Sequence, residues 1–126
     1  MRMEGLRDRT KQFALRVIRM YASLPNTGAA QVLGRQVLRS GTSVAANFRE
    51  ASRARSSAEF AAKLGIVEQE LDETMLWLEL LAESAIVPEK KPTLLRQEAE
   101  ELLRIVIASI KKTKSKTRAI RREAGH

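Results

Sequence analysis

The chain contains no cysteine, a single histidine at its last position, and only 4% aromatic residues. Without cysteine there is no disulfide, no thiol nucleophile and no thiolate metal site. One terminal histidine leaves none of the Glu-x-x-His pairs that build helical di-iron centres. It also leaves no Ser/His/Asp arrangement within the body of the chain. No Gly-rich phosphate loop is present. These absences predict a protein with no catalytic residues, no cofactor and no metal. The acidic cluster Glu68, Glu70, Asp72, Glu73 and Glu79 is then read as salt-bridged or solvated helix surface.

Turn formers are scarce too, with three prolines and six glycines in 126 residues. A core short of aromatic residues must be built from Leu, Ile, Val and Ala, which favours helices over strands. Apolar runs such as Ile105–Ala108 are far too short to span a bilayer. The opening "MRMEGLRDRT" has no apolar segment of the secretory type, so a cytoplasmic setting is expected. What is present is a globular mix of 44% hydrophobic and 30% charged residues, in a length that suits one domain.

Helical periodicity marks four segments. The first runs from about Asp8 to Leu24, with Phe13, Val17, Tyr21 and Leu24 in phase, Ala14 and Ile18 beside them, and Pro25 as its stop. The second starts near Thr27 and carries Val32, Leu33, Val37, Val44, Phe48 and Ala51. Ser56, with Glu59 three residues on, forms a capping-box pattern that opens the third. Its stripe is Phe60, Leu64, Val67, Leu71, Leu78 and Leu81. The fourth begins around Pro92 and Thr93, with Leu95, Ala99, Leu102, Val106 and Ile110 turned inward. Short connections make neighbours antiparallel. The expected fold is an all-α, up-down-up-down four-helix bundle over residues 1–110, with overlong second and third helices. Residues 111–126 are expected to form a basic, partly disordered C-terminal extension of the last helix.

The second helix is odd in its middle. Ser40, Gly41, Thr42, Ser43 and Asn47 are poor helix formers crowded far from either end. Ser40, Ser43, Asn47 and Glu50 share one helical face, as do Lys63, Glu70, Glu73 and Trp77 on the third. A turn centred on Ser56 and Ser57 opposes positions that sum to about 113. Glu50 then faces Lys63, Ser43 faces Glu70, Ser40 faces Glu73, Gln36 faces Trp77, and Arg39 lies near Glu73. A polar seam is expected, with Gly34 and Gly41 allowing close backbone approach. Solvent exposure of the same residues is the plainer alternative. Trp77 reads either as a core or interface filler or as a partner for the Arg35 or Arg39 guanidinium.

The formal charge is +8, and Lys111, Lys112, Lys114, Lys116, Arg118, Arg121 and Arg122 concentrate seven cations in the last sixteen residues. Glu123 alone opposes them. Such a block suits nucleic-acid phosphates or an acidic partner. A solvated helix end, its cations matched to the helix dipole, is the alternative. With only Ala119, Ile120 and Ala124 apolar, the tail lacks a membrane-binding face.

The stretch "RSGTSVAANFREASRARSSAEFAAKLGIVEQELDETMLWLELL" resembles the signature of a bacterial four-helix-bundle family. Its members include proteins encoded by intervening sequences within large-subunit ribosomal RNA genes. The resemblance covers about residues 10–110 and is densest from Arg39 to Leu81. Phe48 and Met75 depart from the residues expected there. It implies an up-down bundle assembled as a homo-oligomer, a homopentameric ring. A distantly similar branch includes the accessory protein of diversity-generating retroelements, a basic pentameric barrel that engages nucleic acid. Nothing in the resemblance implies catalysis. The expected function is therefore a nonenzymatic ring whose basic tails bind RNA or DNA electrostatically. A protein-interaction scaffold with no nucleic-acid role is the alternative.

Overall fold

The structure is a computed structural model that describes residues 3–125. Four helices follow one another: α1 (Met3–Ala22), α2 (Gly28–Ser52), α3 (Ser57–Glu83) and α4 (Lys90–Ala124). Among the described residues there is no strand. The helices sit at the corners of a square, α1 on α2, α2 on α3 and α3 on α4, with a sparser α4/α1 edge closing it. This is the up-down-up-down bundle expected from the sequence, and among the described residues no helix is long and apolar enough to cross a membrane.

Local chemistry sets the boundaries. Ser56 caps α3, its Oγ accepting from the Glu59 amide at 3.1 Å. Glu59 reaches back to accept from the Arg55 amide at 3.2 Å. This is the capping box displaced by one residue. Thr27 occupies the N-cap of α2 without a side-chain bond; instead its carbonyl accepts from the Gln31 amide at 2.9 Å. α1 begins five residues earlier than periodicity suggests, because Leu6 and Thr10 are buried and extend its inner stripe.

The core is aliphatic apart from Phe13 and Phe48, and runs the length of the bundle through Val17, Val37, Val44, Leu64, Leu71, Leu78, Leu102 and Val106. Several expected stripe positions lie outside it, and two of them are exposed. Ile18 is 43% and Val32 is 53% exposed. Each flanks the buried stripe of its helix, so apolar character there does not mean burial.

The longest helix is not in the central hairpin. α2 and α3 have 25 and 27 residues, whereas α4 has 35. The overhang therefore belongs to α4. It continues as helix through Ala124, directly along the basic segment.

Candidate nucleic-acid interface

The polar stretch of α2 divides its work between two neighbours. Toward α1, Gly34 and Gly41 are buried. A Cβ at Gly41 would sit 2.9 Å from Val17 Cγ2, so α1 crosses too closely for any side chain there. At Gly34 a Cβ would collide with Leu24 and approach Tyr21. The close approach expected between α2 and α3 is thus made between α2 and α1. Gly65 on α3 has nothing within 4 Å of where its Cβ would be.

Toward α3, the expected register appears with altered partners. Lys63 Nζ donates to Glu50 Oε2 at 2.9 Å. Arg39 Nη2 donates to Glu73 Oε1 at 3.1 Å, and its Nη1 lies 3.6 Å from Glu70 Oε2. Ser40 faces not Glu73 but Thr74, with the two buried hydroxyl oxygens 2.7 Å apart. Either hydroxyl donates to the other while the acceptor bonds back to its own helix, Ser40 to the Gln36 carbonyl and Thr74 to the Glu70 carbonyl. Ser43 does not reach Glu70. Its Oγ accepts from Asn47 Nδ2 at 2.8 Å, and the same amide donates to the Ser43 carbonyl at 2.9 Å. Short hydroxyl and amide side chains satisfy their own helix first, because those carbonyls are nearest. Trp77 packs partly buried against the core with its Nε1 unpartnered, as a filler rather than a hydrogen-bonding residue.

Charge pairing elsewhere clamps α4 to its neighbours. Arg9 donates to Glu98 through Nε and Nη2 at 2.8 and 2.7 Å, and reaches Glu101 at 2.9 Å. The hydrogen bond to Glu98, then that to Glu101, raises the Arg9 pKa above its ordinary value. Arg96 bridges Glu79 on α3 and Glu100 on its own helix.

The α4 extension is built differently. Inward positions carry Thr113 and Thr117 rather than large apolar residues. Their hydroxyls return to the Ser109 and Thr113 carbonyls at 2.8 and 3.0 Å. Opposite them α3 offers Ala58, Ala61, Ala62 and Gly65. Small residues on both sides leave an open groove of about 600 Å³, with Lys114, Arg118 and Arg121 along one wall. All seven tail cations are exposed. None lies within 4 Å of a carboxylate among the described residues.

Residues 6–108 match the family described as 23S rRNA-intervening sequence protein. The chain belongs to the 23S rRNA-intervening sequence protein family. The match covers the bundle and stops short of the basic extension. A crystal structure of a protein of unknown function from the S23 ribosomal protein family of Bacteroides thetaiotaomicron is similar to this chain. It is 36% identical, superimposes with a TM-score of 0.81, and covers 88% of this chain and 99% of its own. No curated protein matches.

Within this family member, the tail lies at one end of the bundle with the start of α1, the end of α2 and the start of α3. That end gathers cations which sequence spacing did not single out. Arg7 and Lys11 of α1, Arg49 of α2 and Arg53 just past its end line one groove. Each pair is four residues apart, visible in the sequence, but only the fold shows that the pairs face each other. Among the described residues no group of carboxylates or histidine is placed to hold a metal ion.

Proposed function

We propose that this protein is a nonenzymatic homo-oligomer, pentameric as the resemblance implies, that binds RNA or DNA electrostatically through its basic C-terminal helix in the cytoplasm. The observation that carries the reading is the state of the seven tail cations. They stand on a helix, exposed and without acidic partners, while Arg9, Arg39, Lys63 and Arg96 are all paired. Only the last-turn cations Arg121 and Arg122 suit the helix dipole; the rest of the run repels itself and attracts polyanions.

Assembly is supported by the outer surface of α3, where Ile66, Leu76 and Leu80 are 37%, 47% and 40% exposed. Residues 66, 73 and 80 recur every seventh position on that helix, so the outward ridge is partly apolar and suits a neighbouring subunit. Five tails would bring together about 35 cations, with log K falling by about 0.9 per phosphate neutralised on duplex DNA and about 0.7 on a single strand. The grooves beside the tail contain no aromatic residue, so base stacking adds little and sequence preference is weak.

The test is truncation after Ile110. The bundle helices and the subunit count are expected to hold, with the full-length assembly at five times the 14.1 kDa chain mass and the truncated one lighter by its five missing tails. Affinity for a short RNA or DNA duplex is expected to fall by more than roughly 100-fold at low salt. Equal binding by the truncated protein sinks the reading. A partner protein retained after nuclease treatment, with no nucleic acid bound, replaces it with the scaffold.

A further inference from the structure

We infer that the groove between α1 and α2 formed by Arg7, Lys11, Arg49 and Arg53 is a second contact site for the nucleic-acid sugar-phosphate backbone, working with the tail. This rests on the nucleic-acid reading above.

The groove has a volume of about 390 Å³ and a floor of Ala45 and Ala46. Arg7 and Lys11 stand one turn apart on α1, while Arg49 lies in the last turn of α2 and Arg53 caps its C-terminal end. Like charges at that helical spacing repel, so the Arg7/Lys11 pair costs α1 stability, and Arg49 and Arg53 add two further cations beside it. Here the two pairs confront one another across antiparallel helices. The only acid lining the groove, Glu50, is already engaged by Lys63 at 2.9 Å. Glu4 and Asp8 share α1 with Arg7 and Lys11, yet neither is ion-paired to them, and none of the four cations is within 4 Å of a carboxylate.

Uncompensated repulsion at one site is the mark of a missing anion. Three cations on two helices and a fourth at the C-cap of α2 present donors to more than one phosphate at once, and Arg offers a planar fork that fits phosphate oxygens. The small floor lets a backbone lie close. No aromatic side chain lines the groove, so the recognised chemistry is phosphodiester rather than base.

Location supports joint action. The four residues lie at the same end of the bundle as the tail. Residues 3–11, 46–65 and 111–125 together hold fourteen basic and five acidic side chains, so the remainder of the chain is slightly acidic and this end carries the entire positive excess. The tail and the groove therefore share the one end of the bundle that carries a net positive charge.

The experiment compares two full-length variants of equal charge. Arg49→Gln/Arg53→Gln empties half the groove, and Arg16→Gln/Arg19→Gln removes two exposed cations at the opposite end of α1. The probe is a labelled 20-base-pair RNA duplex, titrated from about 50 to 200 mM salt. The groove variant is expected to lose roughly 50-fold in affinity near 0.1 M salt. Its log K against log salt slope should become shallower by about 2. The control is expected to lose less than about fivefold. The groove variant's thermal midpoint should be unchanged or higher, since repulsion is relieved. Equal losses in both variants overturn the groove while leaving the tail reading intact. A lowered midpoint in the groove variant also overturns it, since the arginines are then structural. If the unmodified protein fails to bind the duplex, the nucleic-acid reading falls, and the groove with it.

Discussion

Arg7 and Arg9 are two residues apart on α1 and live in opposite surroundings. Arg9 points to α4 and holds two carboxylates at under 3 Å. Arg7 points to α2 and meets other cations. The same division runs through the glycines. Gly41 is pressed against Val17, whereas Gly65 faces open space beside the α4 extension. Arg9 and Gly41 face inward onto partners that fill or pair them, whereas Arg7 and Gly65 face open grooves at the basic end. Closed faces are explained by stability. An open, like-charged end adds little to stability, and the proposed function gives it a role.

The arginine pair gives the largest effect that could break this contrast. Arg9→Met removes a bidentate, charge-assisted clamp and leaves Glu98 mostly buried without a cation. Urea unfolding should show a loss of about 2 kcal/mol, since hydrogen bonds to charged groups are worth roughly 1.5–3 kcal/mol. Arg7→Met should change stability by less than about 0.5 kcal/mol, in either direction. Equal costs would mean that Arg7 has a structural partner and that the basic end is as closed as the rest.

The glycines sharpen the contrast at about half that size. Gly41→Ala gains about 0.8–1.0 kcal/mol of helix propensity. It also forces a methyl group against Val17, a stiff β-branched side chain, where overpacking costs roughly 1–3 kcal/mol. A net loss of about 1 kcal/mol is expected. Gly65→Ala meets no neighbour and should stabilise by close to the full propensity difference, about 0.8 kcal/mol. If Gly65→Ala instead weakens assembly of the native protein while leaving the subunit folded, the open face of α3 is occupied by another subunit, and the groove is not free surface.

How much of this was legible beforehand follows from the range of each interaction. Helix phase and capping are local, so the four segments, the aliphatic stripe and the Ser56 cap could be read directly. The cap also fixes the hairpin register, which is why Lys63 with Glu50 and Arg39 with Glu73 could be paired from numbering alone. Ser40 could not be placed correctly. A sum rule sets its height along α3 only to within a residue, and Thr74 rather than Glu73 points inward there. The role of Gly34 and Gly41 against α1 was hidden for a similar reason, since no capped short turn fixes the α1/α2 phase. The tail charges are consecutive and stand out in any reading. Arg7, Lys11, Arg49 and Arg53 are scattered over some forty-five residues and form a site only once α1 lies on α2.

The smallest expected effect concerns the hairpin pair itself. Lys63 and Glu50 are exposed to solvent, where a single ion pair contributes little after solvent screening and side-chain ordering. The hydrogen bond to Glu50, and then its charge, raise the Lys63 pKa above the ordinary 10.5. A raised lysine stabilises the fold fully below its unfolded-state pKa, and that contribution is lost as pH rises through the higher folded value. Lys63→Met should therefore lower the urea midpoint only slightly, by the same amount from neutral pH to about pH 9. The difference from the unmodified protein should close in more alkaline solution. It should also shrink with added salt. A large, salt-insensitive loss would show that the pair is shielded by a neighbouring subunit, and that the hairpin end of the bundle is less open than the single chain makes it.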